Sequence, residues 1–196
     1  MTLSAIILAA GASRRLGQPK QLVHVDGETL LGRTVRIALE SGAGPVVVVL
    51  GANRDRIVAE VDLSGCTVVE NPLWEQGIAS SIRAGLKAVE QLVPEAAAVM
   101  LLVCDQPRLT ADHLRRLREA FEAATQPAIA ASAYAGIAGI PAIFPEEQFR
   151  RLLALEGDTG ARRLLKESEI PLIVVPFEGG AMDVDTPEDL ADIKNP

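Results

Sequence analysis

The segment Leu8-Ala9-Ala10-Gly11-Ala12-Ser13-Arg14-Arg15-Leu16-Gly17-Gln18-Pro19-Lys20 holds the residue types that phosphate chemistry needs. Small side chains at Ala9, Ala10 and Gly11 let a ligand come close to the backbone, where successive N–H groups can cradle phosphate oxygens. Arg14, Arg15 and Lys20 add three cations within seven residues, and the guanidinium fork matches phosphate oxygens. No Lys-Ser or Lys-Thr follows a glycine at the Walker spacing, and the G-x-G-x-x-G dinucleotide pattern is absent. The segment reads as a different kind of nucleotide loop.

Asp105 closes the apolar run Val99-Met100-Leu101-Leu102-Val103, and Asp185 follows the short run Met182 to Val184. Carboxylates at strand ends face the ligand edge of an α/β sheet, and two of them suit Mg²⁺, whose remaining sites go to phosphate oxygens and waters. Asp185 also reads as an acid favoured by a helix start, and Asp105 as a turn residue before Pro107. Asp183 is the weaker candidate, on the same strand face but one step further from the end. Gly77, Ser80 and Ser81 open a helix with an accessible backbone and two short hydroxyls, which also serve as ordinary caps. Gly157-Asp158-Thr159-Gly160-Ala161-Arg162 reads as a helix opening with free N–H groups and one guanidinium. It can hold an anion such as the phosphate of a second substrate, or serve as a plain turn. Trp74 fits either a pocket wall or the edge of the core.

These residues need a frame. Strands are expected at Leu3 to Ala9, Val46 to Leu50, Thr67 to Val69, Ala97 to Val103, Ile140 to Phe144, Leu172 to Val175 and Met182 to Val184. Helices are expected at Leu30 to Ser41 (capped by Thr29), Asp55 to Val61, Ala79 to Val89, after Thr110, at Pro145 to Leu153, at Ala161 to Glu167 and after Thr186-Pro187. Ala128 to Ala138 reads as an alanine-rich stretch with a turn around Gly136 and Gly139. Strands and helices alternate over the first 125 residues, which implies βαβ units. The expected fold is a three-layer α/β/α domain around a mostly parallel, Rossmann-like sheet. A single domain over 1–196 is expected, with 1–125 as the nucleotide-binding half and 126–196 as the acceptor-binding half.

Composition narrows the function. Hydrophobic residues make up 48% and aromatics only 3%, so the core must be aliphatic, as parallel sheets are. A net charge of −7 argues against broad nucleic-acid binding, yet leaves room for a small polyanion at a local basic spot. Cys66 and Cys104 stand alone, without metal-ligand spacing, as expected in a reducing cytoplasm. No signal-peptide pattern and no long apolar span is present, so a cytoplasmic location without membrane contact is expected.

The pattern LAAG-x-S-x-R-x-G-x-x-K resembles the signature of the nucleotidyltransferases that activate sugars, polyols and molybdopterin. The resemblance runs nearly end to end, through Gly77 to Leu86, Cys104-Asp105-Gln106-Pro107, Gly139-Ile140-Pro141, Gly157 to Arg162 and Asp183 to Asp189. It is strongest to the molybdenum cofactor cytidylyltransferase branch and implies a nucleotide-diphospho-sugar transferase type of fold. By this resemblance Asp105 and Asp185 hold Mg²⁺, while Arg15 and Lys20 stabilise departing pyrophosphate. Leu8, Ala9, Ala10 and Gly11, with Gly77, Ser80 and Ser81, hold the nucleotide, and Gly157, Asp158, Gly160 and Arg162 hold the acceptor. Guanylyl-transferring relatives carry LAGG, so alanine at position 10 points to a pyrimidine, hence CTP. The implied reaction moves CMP from CTP onto molybdopterin carrying molybdenum, with a molybdoenzyme or its chaperone downstream. A phosphate acceptor is already ionised near neutral pH and needs no general base. The alternatives are cytidylyl or guanylyl transfer to another phosphorylated acceptor, such as a sugar or polyol phosphate, and a non-catalytic carrier of the molybdenum cofactor.

Overall fold

The structure is a computed structural model, and it describes residues 2–194. Strand β1 (Leu3–Ala9) is buried along its whole length, as an uninterrupted apolar run must be when helices cover both sheet faces. Strands β2 (His24–Val25) and β3 (Glu28–Thr29) form a small antiparallel hairpin. Asp26 and Gly27 turn it with φ of 51° and 84°, the left-handed pair a tight hairpin requires. Helix α1 (Leu30–Glu40) starts where the Thr29 hydroxyl accepts the Gly32 N–H at 3.1 Å. Then come β4 (Val46–Leu50), α2 (Arg54–Glu60), β5 (Cys66–Glu70), α3 (Ile78–Leu92) and β6 (Ala98–Val103). Helix α4 (Ala111–Glu122) is capped by Thr110, whose hydroxyl accepts the His113 N–H at 3.2 Å.

The second half contains β7 (Ile129–Tyr134), β8 (Ile137–Pro145), α5 (Phe149–Leu153), α6 (Arg162–Lys166), β9 (Leu172–Pro176) and α7 (Pro187–Lys194). One seven-stranded sheet spans both halves in the order β5-β4-β1-β6-β8-β7-β9. Strand β8 runs antiparallel to both of its neighbours, and the other pairings are parallel. Alternate residues face opposite layers. Ile7, Val48 and Met100 join one aliphatic core with Leu31 of α1 and Leu114 of α4. Ile6, Val49 and Leu101 join a second core with Ile82 of α3 and Leu152 of α5. This is the three-layer arrangement, built almost wholly from Val, Ile, Leu and Ala.

Four local expectations need correction. The alanine-rich stretch is strand β7, and the turn is the two-residue Ala135-Gly136, with φ of 49° and 76°. Strand β8 therefore begins at Ile137, and Gly139 lies inside it, where a side chain would run into the Tyr134 ring. The helix expected from Pro145 is shortened, since β8 keeps Pro145 and a single tight turn at Glu146–Gln148 precedes α5. Met182 to Val184 is not a strand. It runs as irregular chain after the turn Glu178–Ala181, with the Val184 N–H donating to the Asp105 carbonyl at 2.9 Å. That bond positions Asp185 beside Asp105 without a sheet ladder.

Candidate active site

The loop after β1 is held from beneath. The buried Gln21 amide donates to the Ala9 carbonyl at 2.7 Å and the Gly11 carbonyl at 2.9 Å. The Ala52 N–H donates to the Ala10 carbonyl at 3.0 Å. Ser13 sits at φ 53°, and its hydroxyl accepts the Lys20 N–H at 3.0 Å. The basic loop is thereby folded back on itself, and the Lys20 side chain turns inward.

The C-terminal segment completes the site. Val184 packs with Leu16, Val23, Val25 and Leu30 in a third apolar cluster. Thr186 and Asp189 form a reciprocal cap on α7. The Asp189 carboxylate accepts the N–H groups of Asp185 at 3.0 Å and Thr186 at 2.8 Å, while Thr186 Oγ1 accepts the Asp189 N–H at 3.3 Å.

Lys20 Nζ donates to Asp105 Oδ2 at 2.8 Å and to Asp185 Oδ1 at 2.6 Å. Arg15 donates to Asp185 Oδ2 at 2.8 Å. The two aspartates, 80 positions apart in sequence, thus meet on one cation. Burial opposes the Lys20 charge, but Asp105 and Asp185 outweigh it and hold its pKa above the ordinary lysine value. Burial likewise opposes ionisation of Asp185, and the bonds and charges of Lys20 and Arg15 hold its carboxyl below the usual range. The Cys104 thiol, next to Asp105, is pushed up to about 12 by burial and then by the Asp105 charge. It stays protonated and is no nucleophile.

Two cavities flank these charges. The smaller, about 390 Å³, is lined by Leu8, Ala9, Ala10 and Gly11, and also by Lys20, Gly77 and Ser81. Trp74 forms part of its wall. The larger, about 580 Å³, has an aliphatic floor that includes Ile82, Leu101 and Ile140, and a rim carrying Asp158, Gly160 and Arg162. Asp105, Leu8, Ile78, Val103 and Asp158 line both, so the carboxylate sits at their junction.

Not every expected residue reaches a cavity. Ser80 lines neither; its hydroxyl meets the Leu73 carbonyl at 2.9 Å and the Gly77 carbonyl at 2.8 Å. The buried Asn71 amide donates to Ser80 at 2.8 Å and Ser81 at 3.0 Å. Gly157 turns its carbonyl to the Ala79 N–H at 3.1 Å, which pins this loop to the start of α3. The helix it precedes is five residues long, so the Arg162 side chain is what the segment offers a ligand. Arg162 donates to the Tyr134 hydroxyl at 2.6 Å and lies 5.7 Å from that ring's centre. Gln106 and Tyr134, not singled out from sequence, also line the larger cavity. A polar residue after a strand-end aspartate was the available sign for Gln106; none existed for Tyr134. Asp183 lines that cavity too, with its carboxyl raised to about 6 by burial and then by the neighbouring Asp105 charge.

Asp105 and Asp185 supply two hard oxygen donors around one positive centre. Among the described residues no cluster of three or more His, Cys, Asp or Glu side chains is arranged for a metal. A donor set of two carboxylates fits a divalent ion that also takes phosphate oxygens and water.

Residues 5–171 match the model of the MobA-like NTP transferase domain. The purine catabolism protein PucB of Bacillus subtilis is 30% identical over 95% of this chain and 93% of its own. The nicotine blue oxidoreductase of Paenarthrobacter nicotinovorans is 31% identical over 96% and 94%. The molybdenum cofactor cytidylyltransferase of Escherichia coli is 25% identical over 98% and 95%. Among solved structures, Rv0371c of Mycobacterium tuberculosis superposes with a TM-score of 0.85 at 32% identity, covering 98% of this chain and 97% of that one. A manganese complex of the same protein gives 0.80 at 29% identity, covering 98% of each. The loop, the paired aspartates and the sheet that joins them stand in a chain that belongs to the MobA-like NTP transferase family.

Proposed function

We propose that this protein transfers CMP from CTP to the terminal phosphate of a molybdenum-bearing pterin, releasing pyrophosphate. One observation carries the reading: Lys20 joins Asp185 to Asp105, and Asp105 lines both a backbone-lined cavity and an apolar one. The smaller cavity takes the nucleotide, with the N–H groups of Ala10 and Gly11 turned to its phosphates and Ser81 near the base. The larger takes the acceptor, whose anionic group meets Arg162.

An acceptor phosphate oxygen attacks the α-phosphorus, a new P–O bond forms, and the bond to the β-phosphate oxygen breaks with its electron pair leaving on pyrophosphate. Lys20 and Arg15, which both donate to the Asp185 carboxylate, would neutralise that leaving charge. Lys20 also keeps the two carboxylates from repelling one another until substrate arrives. The acceptor phosphate is anionic at neutral pH, so no side chain must take its proton, and Cys104 is locked as a thiol. A divalent ion held by Asp105 and Asp185, Mg²⁺ in this reading, would supply further charge neutralisation across the triphosphate. The manganese complex of Rv0371c supports a divalent ion, and the Escherichia coli relative supports cytidylyl transfer to the molybdenum cofactor. By the resemblance, in which guanylyl-transferring relatives carry glycine at position 10, alanine there favours a pyrimidine base.

The test is pyrophosphate release with Mg²⁺, each of four nucleoside triphosphates, and molybdenum-loaded molybdopterin or sugar and polyol phosphates as acceptors. CTP with the pterin should exceed every other pairing. Preference for GTP, or for a sugar phosphate, would overturn the specific assignment. Tight CTP binding without pyrophosphate release from any pairing would favour a carrier.

A further inference from the structure

Arg162 lines the larger cavity from a weak support. Helix α6, on which it stands, has five residues and no side-chain cap at its start. A long, exposed side chain on such an element loses much rotamer freedom when it grips a ligand, unless something already holds it. Tyr134 holds it: Arg162 Nη2 donates to the Tyr134 hydroxyl at 2.6 Å. The neighbouring Arg163 pairs with Glu167 at 3.0 Å, which offsets its charge. The phenol is neutral, so it fixes the Arg162 guanidinium and leaves the positive charge for a ligand. Asp183, which lines the same cavity, feels that charge, yet the bond goes to the phenol.

Tyr134 is itself fixed. Its side chain is buried and stands edge-on to Phe177, with centroids 6.1 Å apart at 89°. Gly139 and Gly180 leave the ring its space, since a Cβ at either would run into it. The hydroxyl donates in turn to the Ile140 carbonyl at 3.2 Å. That bond uses the phenolic proton and leaves the oxygen's lone pairs to the guanidinium. Tyr134 lies on β7 and Ile140 on β8, so two paired strands, rather than the short helix, set where the guanidinium stands.

We propose that Tyr134 is a positioning residue of the acceptor cavity: its hydroxyl pre-orders Arg162 for the anionic group of the acceptor, an inference that rests on the reading of that cavity given above. Tyr134 then acts only through Arg162 and touches no reacting atom.

The probe is phenyl phosphate, a phosphate monoester on a flat apolar ring that suits the aliphatic floor of Ile82, Leu101 and Ile140. Its binding is followed in amide NMR spectra of wild type, Tyr134→Phe, Arg162→Met and the double variant. Tyr134→Phe keeps the ring, and the Ile140 carbonyl keeps its bond from Gln106 at 3.0 Å, so the fold should persist. Arg162→Met should weaken the probe by about tenfold or more, the scale of a bond between charged groups, and Tyr134→Phe by about fivefold, the scale of one ordinary hydrogen bond. Adding Tyr134→Phe to Arg162→Met should change nothing further, because the group it acts through is gone. CTP affinity should be the same in wild type and Tyr134→Phe. Wild type that does not bind the probe, unchanged affinity in either single variant, or the same loss from Tyr134→Phe with and without Arg162 overturns the inference. Equal weakening of CTP by Tyr134→Phe overturns it too, since the effect would then be general. In wild type the Arg162 Nε–H resonance should move with the probe, a readout that needs no Tyr134 variant, and a resonance that stays put is equally fatal. Pyrophosphate release is followed separately. Coupling through Arg162 without release from any acceptor sinks the transfer reading and leaves this one standing, whereas release without coupling sinks this one alone.

Discussion

Lys20 Nζ lies 2.6 Å from Asp185 Oδ1, across 165 residues of sequence. The contact ties the first loop of the chain to its last helix, and Asp105 joins it at 2.8 Å. A lysine shared by two carboxylates is a structural clasp and, in the proposed reading, a charge held ready for phosphate.

Replacing Lys20 by Met should lower turnover by about a hundredfold, the effect of deleting one electrostatic stabiliser of a developing charge. Its stability cost should be flat with pH across the neutral range. The Lys20 pKa is raised above 10.5 in the fold, so its contribution is complete below that value and is lost only as pH rises through the folded pKa. The Asp185 pKa is lowered below 3.8, so its contribution is complete above that value and is lost as pH falls through the folded pKa. Urea midpoints of both proteins between about pH 7 and 9, above the Asp183 carboxyl at about 6 and below the unfolded lysine value, check this window. A variant cost that changes steeply inside it would remove the clasp.

Asp105→Asn keeps the shape of the side chain and removes its charge. Turnover should fall by about three orders of magnitude or more, several kcal/mol of transition-state stabilisation. Mn²⁺ binding, read by electron paramagnetic resonance in the presence of CTP, should weaken in parallel, and Asp185→Asn should do the same. Unchanged Mn²⁺ affinity in both variants would end the metal assignment.

Much of this site was legible because strand ends are legible. Asp105 follows an apolar run, and the ligand edge of an α/β sheet lies there by topology. Asp185 was placed for a weaker reason: the strand expected before it does not form, and one hydrogen bond from Val184 does that work instead. The hairpin His24–Thr29 has its sign in the Asp26-Gly27 pair, but each arm has only two residues, too few for an alternation to show. Strand β8 reverses the sheet because β7 and β8 are joined by a two-residue turn, which allows no crossover. Tyr134 and Gln21 escaped notice because their roles depend on partners far off in sequence or hidden in backbone carbonyls. Periodicity carries no trace of such contacts.

Gly77 lines the smaller cavity, and its φ of 97° already excludes most side chains. A Cβ there would overlap the Gly157 carbonyl and crowd Asp158 Oδ1 at 2.6 Å. Gly77→Ala should therefore cost about 3 kcal/mol, combining backbone strain with a clash that backbone must relieve. It should also push the 157–162 loop outward and raise the acceptor KM more than the nucleotide KM. Thermal denaturation and two-substrate kinetics measure the two effects, and an equal rise in both constants would mean that the loop does not serve the acceptor.

His113 gives a pH-dependent stability unrelated to the catalytic charges. Its ring is buried, stacks on Phe177 at 4.3 Å and pairs through Nε2 with the Ser132 hydroxyl at 2.7 Å. That hydroxyl donates onward to the Pro141 carbonyl at 2.7 Å, so Nε2 carries the imidazole proton and Nδ1 is bare. Burial, then the nearby Arg116, lower its pKa from 6.5 to about 4, while Asp112 opposes them weakly. The unfolded chain takes up a proton below pH 6.5 that the folded chain refuses until about pH 4, so stability falls as pH drops through that window. The loss by pH 4.5 should be about 2–3 kcal/mol, at about 1.4 kcal/mol per pKa unit. His113→Gln, which can still donate to Ser132, should be less stable than wild type at pH 7 and close most of that gap at pH 4.5. Urea midpoints at the two pH values decide it, and a gap that stays constant would show that the ring is protonated in the fold.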